Sequence, residues 1–268
     1  MQVFQQKFVI IFLFLFTLFL SFPKCMASAI DTENGTKILV LNYHKVDNTD
    51  IPLSVSPEYF DAQLKYLIFH DYHSITPEQL MDYLENGTEL PKNPVLITFD
   101  DGYLDNYTYA YPILLQNGFR ATFFIIPDLV GTTKYSLDYF DWEQAKEMLE
   151  NGINIESHTL SHASLSKLSV QDAKNEIANS QKIIEDHLGK KPLFLAYPCG
   201  SYNSIITGLA QECGYRAAFT IRQGLVDIES DPYALERITI VRNDRVFRGF
   251  TTKIRYTPNF EKFGWITP

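Results

Sequence analysis

Apolar runs of strand length alternate with amphipathic segments of helix length from residue 38 to residue 241, and nothing else in the chain restricts its fold as much. Residues 38–44, 94–99, 121–126, 153–156, 193–197, 215–221 and 234–241 have the length and apolar content of strands. Helix signals separate them. Ser56-Pro57-Glu58 and Thr76-Pro77-Glu78 each offer an N-cap followed by proline at the first helical position, predicting helices to about residue 69 and to Gly87. A helix over 107–117 stops at Gly118, and Asp141 caps one over 142–151. Ser169 and Asp172 open a long helix that ends at Gly189, and 204–213 reads as another. Such alternation implies a parallel sheet with helices outside it, and about seven units fit a distorted or incomplete (β/α) barrel better than an open sheet. No repeat, low-complexity run or linker divides residues 30–268, so one α/β domain is expected. The basic-aromatic tail after residue 241 fits none of these signals.

The first 29 residues are different in kind. Lys7 precedes an uncharged apolar run over 8–22, Pro23 breaks it, and Ala27-Ser28-Ala29 gives the small-x-small pattern of a signal-peptidase site. A run of roughly 15 residues is short for a spanning helix, which needs about 20. Export is the expectation: cleavage after Ala29, or failing that an uncleaved N-terminal membrane anchor, with the rest secreted or on the outer face of the membrane. Cys199 and Cys213 then remain, separated by a predicted helix too long for a disulfide, so both are expected free. The 268 residues carry a net charge of −9, which leaves no electrostatic footprint for nucleic acid and favours a neutral or partly cationic polymer as partner. A monomer is expected.

Polar clusters follow the strands repeatedly: Tyr43-His44, Asp100-Asp101, His158, and Tyr197-Pro198-Cys199. In a β/α barrel the carboxyl ends of the strands share one rim, so these groups should converge. Asp100-Asp101-Gly102 sets two mutually repelling carboxylates at a strand end. A metal would relieve the repulsion, one aspartate binding it and the other serving as general base, although Asp-Asp-Gly is also an ordinary turn. His158 and His162 stand at i and i+4, which on a helical turn aims both imidazoles at one ion; alone, such a pair is as often two solvated histidines. The two clusters on one rim make a two-histidine, one-carboxylate set with open coordination positions, suited to a hydrolytic metal.

Thr98-Phe99-Asp100-Asp101-Gly102 followed by Ser157-His158-Thr159-Leu160-Ser161-His162 resembles the first two motifs of the polysaccharide deacetylase family, carbohydrate esterase family 4, which shares the NodB homology domain. The resemblance covers about 38–241. It implies a distorted (β/α)7 barrel, Asp100 as catalytic base, and one divalent metal on Asp101, His158 and His162. That ion is usually zinc, with cobalt or nickel tolerated. The third family motif, Arg-x-Pro-Tyr-Gly, has as counterpart Ala196-Tyr197-Pro198-Cys199-Gly200. The tyrosine whose backbone N–H helps hold the oxyanion is Cys199 here, and a backbone donor survives that change. The arginine that orients the base is Ala196, with Arg237 on a late strand as substitute. No histidine follows His187, so the general acid falls to His44 after the first strand. Both that placement and the Tyr-Pro-x-Gly form are similar to the branch that deacetylates poly-β-1,6-N-acetylglucosamine in biofilms. Tyr43, Tyr197, Pro198 and Arg237 complete the site as substrate-contacting candidates. His70, His73 and His187 read as solvated, Asp141 as a helix cap and Trp142 as packing. Asn34, Asn86 and Asn106 open glycosylation triplets that also arise by chance. The expected activity is hydrolysis of N-acetyl groups on an extracellular polysaccharide. The alternatives are a peptidoglycan or chitin-oligomer deacetylase, an acetyl-xylan esterase, or an inactive carbohydrate-binding homologue.

Overall fold

In the computed structural model, residues 31–32, 35–242 and 247–262 are described. The expected leader over 1–29 lies outside them. Eight strands form the main sheet: β1 (Leu39–Tyr43), β2 (His73–Ser74), β3 (Pro94–Asp101), β4 (Thr122–Ile125), β5 (Asn154–Ser157), β6 (Phe194–Ala196), β7 (Ala217–Phe219) and β8 (Ile238–Thr239). All pair in parallel in the order β7-β6-β5-β4-β3-β1-β8, with β2 also beside β3.

Helices connect them: α1 (Pro57–Phe69), α2 (Pro77–Asn86), α3 (Tyr111–Asn117), α4 (Trp142–Glu150), α5 (Val170–Leu188) and α6 (Ser204–Glu212). The caps are those the sequence predicts: Ser56, Thr76, Asp141 and Ser169 each accept an N–H in the first turn. Gly87, Gly118 and Gly189 end their helices in the left-handed conformation that only glycine adopts cheaply.

Alternation along each strand splits the core into layers. Leu39, Leu41, Tyr43, Val95, Ile97, Phe99, Phe123 and Ile125 face outward and pack with Phe60 and Leu64 of α1. Val40, Leu96, Phe124, Phe194, Ala196 and Phe219 face inward and pack on one another. The sheet curls into a half-barrel around that inner cluster, a distorted (β/α)7 barrel in a single domain. Between β7 and β8 the ladder is replaced by a tie: Leu235 bridges Phe219, and the Thr220 N–H donates to the Leu235 carbonyl at 2.8 Å.

That tie explains one departure from expectation. Residues 234–237 are spent on closure, so the last strand is Ile238–Thr239 rather than 234–241. The unassigned tail contains α7 (Phe247–Lys262), whose Phe250 and Ile254 join the outer core. Residues 107–117 also divide, into a π-helical turn over Asn106–Ala110 and then α3. Cys199 and Cys213 are free, as expected. Asn106 is buried, its Nδ2 donating to the His44 carbonyl at 2.7 Å, so its triplet is no glycosylation site. Among the described residues no helix is long and apolar enough to cross a membrane.

Candidate metal centre

β3 and β5 lie on either side of β4, and their carboxyl ends bring three ligand atoms together. Asp101 leaves β3 with φ 77°, and Gly102 follows at φ 80°, where an added Cβ would stand 3.2 Å from Ile125 Cγ2. The double left-handed turn points the Asp101 carboxylate across the rim toward the end of β5. His158 Nε2 and His162 Nε2 lie 3.5 and 3.4 Å from Asp101 Oδ1. The three ligand atoms all lie within 4.8 Å of one another. A tetrahedral ion with bonds of about 2.0–2.2 Å separates its ligands by roughly 3.4 Å, so the set fits a zinc-like ion.

The tautomer fits as well. His158 Nδ1 lies 2.8 Å from the Ala196 carbonyl, which can only accept, so Nδ1 carries the proton and Nε2 keeps its lone pair. Burial of the His158 ring lowers its pKa against the pull of Asp100 and Asp101, favouring the neutral form a metal needs. Ala196 therefore keeps a role through its backbone although it stands where the family has arginine.

The two histidines are not on a helical turn. β5 ends at Ser157, and the loop after it holds Thr159 at φ 63° and His162 at φ 67°. Such conformations cost free energy in non-glycine residues and persist only when neighbours over-determine them. Here Glu176 of α5 does so. Its Oε2 accepts the Ser161 N–H at 2.9 Å, its Oε1 accepts the Ser161 hydroxyl at 2.7 Å, and its carbonyl accepts the Leu160 N–H at 3.1 Å. Sequence reading missed this clamp, because nothing local marks a partner 15 residues away.

Asp100 shares the inward parity of Leu96 and Thr98 and is buried beside the triad. Arg237, also buried, grips it with two parallel hydrogen bonds, Nη1 to Oδ1 at 2.8 Å and Nη2 to Oδ2 at 2.7 Å. The guanidinium is itself fixed by Nε donating to the Thr220 carbonyl at 2.8 Å and by the Phe124 and Phe219 rings. Burial pushes the Asp100 carboxyl up, but Arg237, His158 and His44 together hold it well below the usual carboxylate range. Each Asp100 oxygen keeps a further lone pair for a proton. Arg237 thus substitutes for the missing motif arginine. As a substrate contact it is corrected: it is 0% exposed and touches Asp100 instead.

The other candidates divide. His44 is half-buried just past the carboxyl end of β1, whose Tyr43 pairs with Phe99 of β3, so its backbone stands on the same rim. Its Nδ1 is sealed from solvent and has no hydrogen-bond partner among the described residues. Cys199 is exposed at φ 55°, and its N–H makes no hydrogen bond among the described residues. Tyr43, Tyr197 and Pro198 are buried, which corrects their reading as substrate contacts. The Tyr43 hydroxyl donates to Gln63 Oε1 at 2.8 Å, and its ring packs on Phe60 and Phe99. The Tyr197 hydroxyl donates to the Tyr233 carbonyl at 3.0 Å. Strand parity already indicates the first: Tyr43 shares a face with Leu39 and Leu41, opposite His44. Trp142 packs, stacking on His187 at 4.1 Å, and His73 is exposed.

Comparison with known proteins agrees with this geometry. The family profile described as polysaccharide deacetylase matches residues 87–218. The poly-beta-1,6-N-acetyl-D-glucosamine N-deacetylase of Staphylococcus epidermidis is 30% identical over 250 residues, covering 84% of each chain. Among solved structures, Streptococcus pyogenes deacetylase PplD in complex with acetate superposes with a TM-score of 0.73 at 28% identity, over 81% of this chain and 99% of that one. IcaB from Ammonifex degensii gives 0.72 at 27%, over 81% and 97%. Two motif clusters assembled on one rim and relatives matched over most of their length lead to one assignment: the chain belongs to the polysaccharide deacetylase family, hydrolases of the NodB-like carbohydrate esterase family 4 whose activity depends on a metal.

Proposed function

We propose that the protein removes N-acetyl groups from an extracellular N-acetylglucosamine polysaccharide, with poly-β-1,6-N-acetylglucosamine as the first choice of substrate. The single observation that carries the reading is the Asp101–His158–His162 set with ionised Asp100 beside it. The named activity of the staphylococcal relative supports this choice of polymer. Residues 1–29 are proposed to direct export, and the mature chain acts outside the cell as a monomer.

Asp101, His158 and His162 would hold one divalent ion, zinc first and cobalt or nickel as alternatives. When bound it supplies Lewis-acid polarisation of the acetyl carbonyl and a water of lowered pKa. Asp100 takes the proton from the attacking water on a lone pair that Arg237 leaves free. The Cys199 N–H, unpaired among the described residues, donates to the carbonyl oxygen as negative charge develops on it. His44 delivers a proton to the departing nitrogen, since an amine leaves far more readily than an amide anion. The C–N bond breaks, and acetate and a glucosamine unit result.

The test is acetate release from poly-β-1,6-N-acetylglucosamine, chitin oligomers, peptidoglycan and acetyl-xylan, each with and without chelator. Chelator-sensitive release, greatest from the β-1,6 polymer, is expected. Release greatest from another substrate would overturn the polymer, and chelator-insensitive release the metal. No release from any would return the inactive binding homologue.

A further inference from the structure

The chain between β4 and α4 leaves the rim as a short arm. Thr133–Lys134 pairs antiparallel with Leu137–Asp138, so Tyr135 and Ser136 alone make the turn. Both have positive φ, 54° and 62°. That is the two-residue turn in which glycine and asparagine sit without strain, and a tyrosine in its first position is disfavoured by its Cβ. The fold gains nothing visible in return: the Tyr135 ring is 86% exposed. A local rule broken at an exposed aromatic, with no packing to compensate, points to a binding role.

The arm is rooted between the two ligand-bearing loops. The Phe140 N–H donates to the Gly102 carbonyl at 3.3 Å, one residue past Asp101, and the Asp128 N–H donates to the Leu160 carbonyl at 3.1 Å, between the two histidines. Tyr139 bridges Tyr103, with ring centroids 5.2 Å apart. The hairpin is braced by Thr133 Oγ1 donating to Asp138 Oδ1 at 2.6 Å and the Tyr139 N–H donating to the Thr132 carbonyl at 3.0 Å. Leu137 and Asp138 at about 3.3 Å each carry the turn ~7 Å beyond Tyr139, and the Tyr135 side chain extends farther, roughly the length of two linked pyranose rings. An aromatic ring held at that reach offers an apolar face to the C–H face of a sugar. Lys134 Nζ lies 5.5 Å from the ring centroid. Its charge disfavours a glucosamine ammonium beside it and tolerates a neutral acetamido unit.

We propose that Tyr135, carried on this arm, is a distal subsite that stacks on an acetylated sugar about two units from the one being hydrolysed. The proposal rests on the function proposed above. It makes the enzyme sensitive to chain length and biased toward stretches that are still acetylated.

The experiment compares the full-length protein with Tyr135→Ala, Tyr135→Gly and Tyr135→Trp on a β-1,6-linked N-acetylglucosamine pentasaccharide and disaccharide. Loss of the ring should raise KM for the pentasaccharide about 2- to 10-fold, and lower the pentasaccharide-to-disaccharide ratio of kcat/KM by the same factor. Tyr135→Trp should restore both. Tyr135→Gly, which relieves the strained turn, should raise the melting temperature yet still show the higher KM; a merely structural tyrosine would not separate these readouts. Equal losses on both substrates, or no loss on either, would overturn the subsite while leaving the deacetylase reading intact. Wild-type protein that releases acetate from neither substrate would overturn both. Vesicle binding by the wild type that Tyr135→Ala abolishes, with KM unmoved, would replace the sugar by a lipid surface.

Discussion

Among the described residues, Asp100 and Glu156 are the most deeply buried carboxylates, and their surroundings drive their pKa values in opposite directions. Asp100, at the carboxyl end of β3, is 1% exposed and held well below the usual range. Glu156, in β5, is 0% exposed and pushed up to about 8. Burial raises both, so burial does not decide between them. The neighbours do. Asp100 faces a guanidinium that fits both its oxygens at 2.7–2.8 Å. Glu156 has only two backbone N–H donors on one oxygen, Leu193 at 2.8 Å and Phe194 at 2.9 Å. Lys190 stands 3.9 Å from the other oxygen, which has no hydrogen-bond partner among the described residues. The Asp100 charge is held where an arginine is built for it, beside the Asp101–His158–His162 set.

The comparison can be broken at either member. The largest effect is expected from Asp100→Asn, which removes the charge and keeps the shape. Turnover should fall about 10²–10⁴-fold with bound metal retained, read by acetate release beside metal analysis. Turnover within a few-fold of wild type would remove Asp100 as the base. Next comes Arg237→Met, which leaves Asp100 buried and unpaired. Stability should drop about 3–5 kcal/mol by denaturant titration, and Arg237→Met with Asp100→Asn together should recover part of it. A double variant no more stable than Arg237→Met would show that the pair is not coupled.

Glu156→Gln tests the other member and should act in the opposite sense. A carboxyl with a raised folded pKa makes the folded state bind more protons than the unfolded one between about pH 4.5 and 8. Wild-type stability therefore falls across that window through this group, and the glutamine variant escapes the loss. Its advantage should grow by up to a few kcal/mol from pH 5 to pH 9 in paired melts. Parallel curves would mean that Glu156 is already ionised. The smallest effect is expected from Glu176→Ala, which frees the loop that carries His162. Metal affinity should weaken roughly tenfold, and Glu176→Gln, which keeps one acceptor oxygen for Ser161, should recover part of it. Unchanged affinity in the alanine variant would mean that the loop holds itself.

The features legible in the sequence are those with local causes. Caps at Ser56, Thr76, Asp141 and Ser169, and glycines at 87, 118 and 189, fix their helices through contacts spanning a few residues. Asp101 and His158 are legible because each follows an apolar strand, and parallel strands share a rim. His162 is found by its spacing, but through a helical turn that does not form, since left-handed φ values at Thr159 and His162 have no signal in those residue types. The Glu176 clamp and the exact grip of Arg237 on Asp100 depend on elements far apart in the chain, which residue patterns do not encode. Tyr43 and Tyr197 depart from expectation for a different reason. Being next to a rim residue does not place a side chain on the rim, because neighbours along a strand face opposite ways.

The account stands most directly on the metal set, and its most direct test measures metal content and acetate release on the same samples. Wild-type protein, chelated protein, chelated protein given zinc, and His158→Ala would be assayed on poly-β-1,6-N-acetylglucosamine. The wild type should hold one metal per chain and release acetate, chelation should remove both and zinc restore both, and His158→Ala should lack both. Full metal occupancy in His158→Ala, or acetate release that survives loss of the metal, would contradict it.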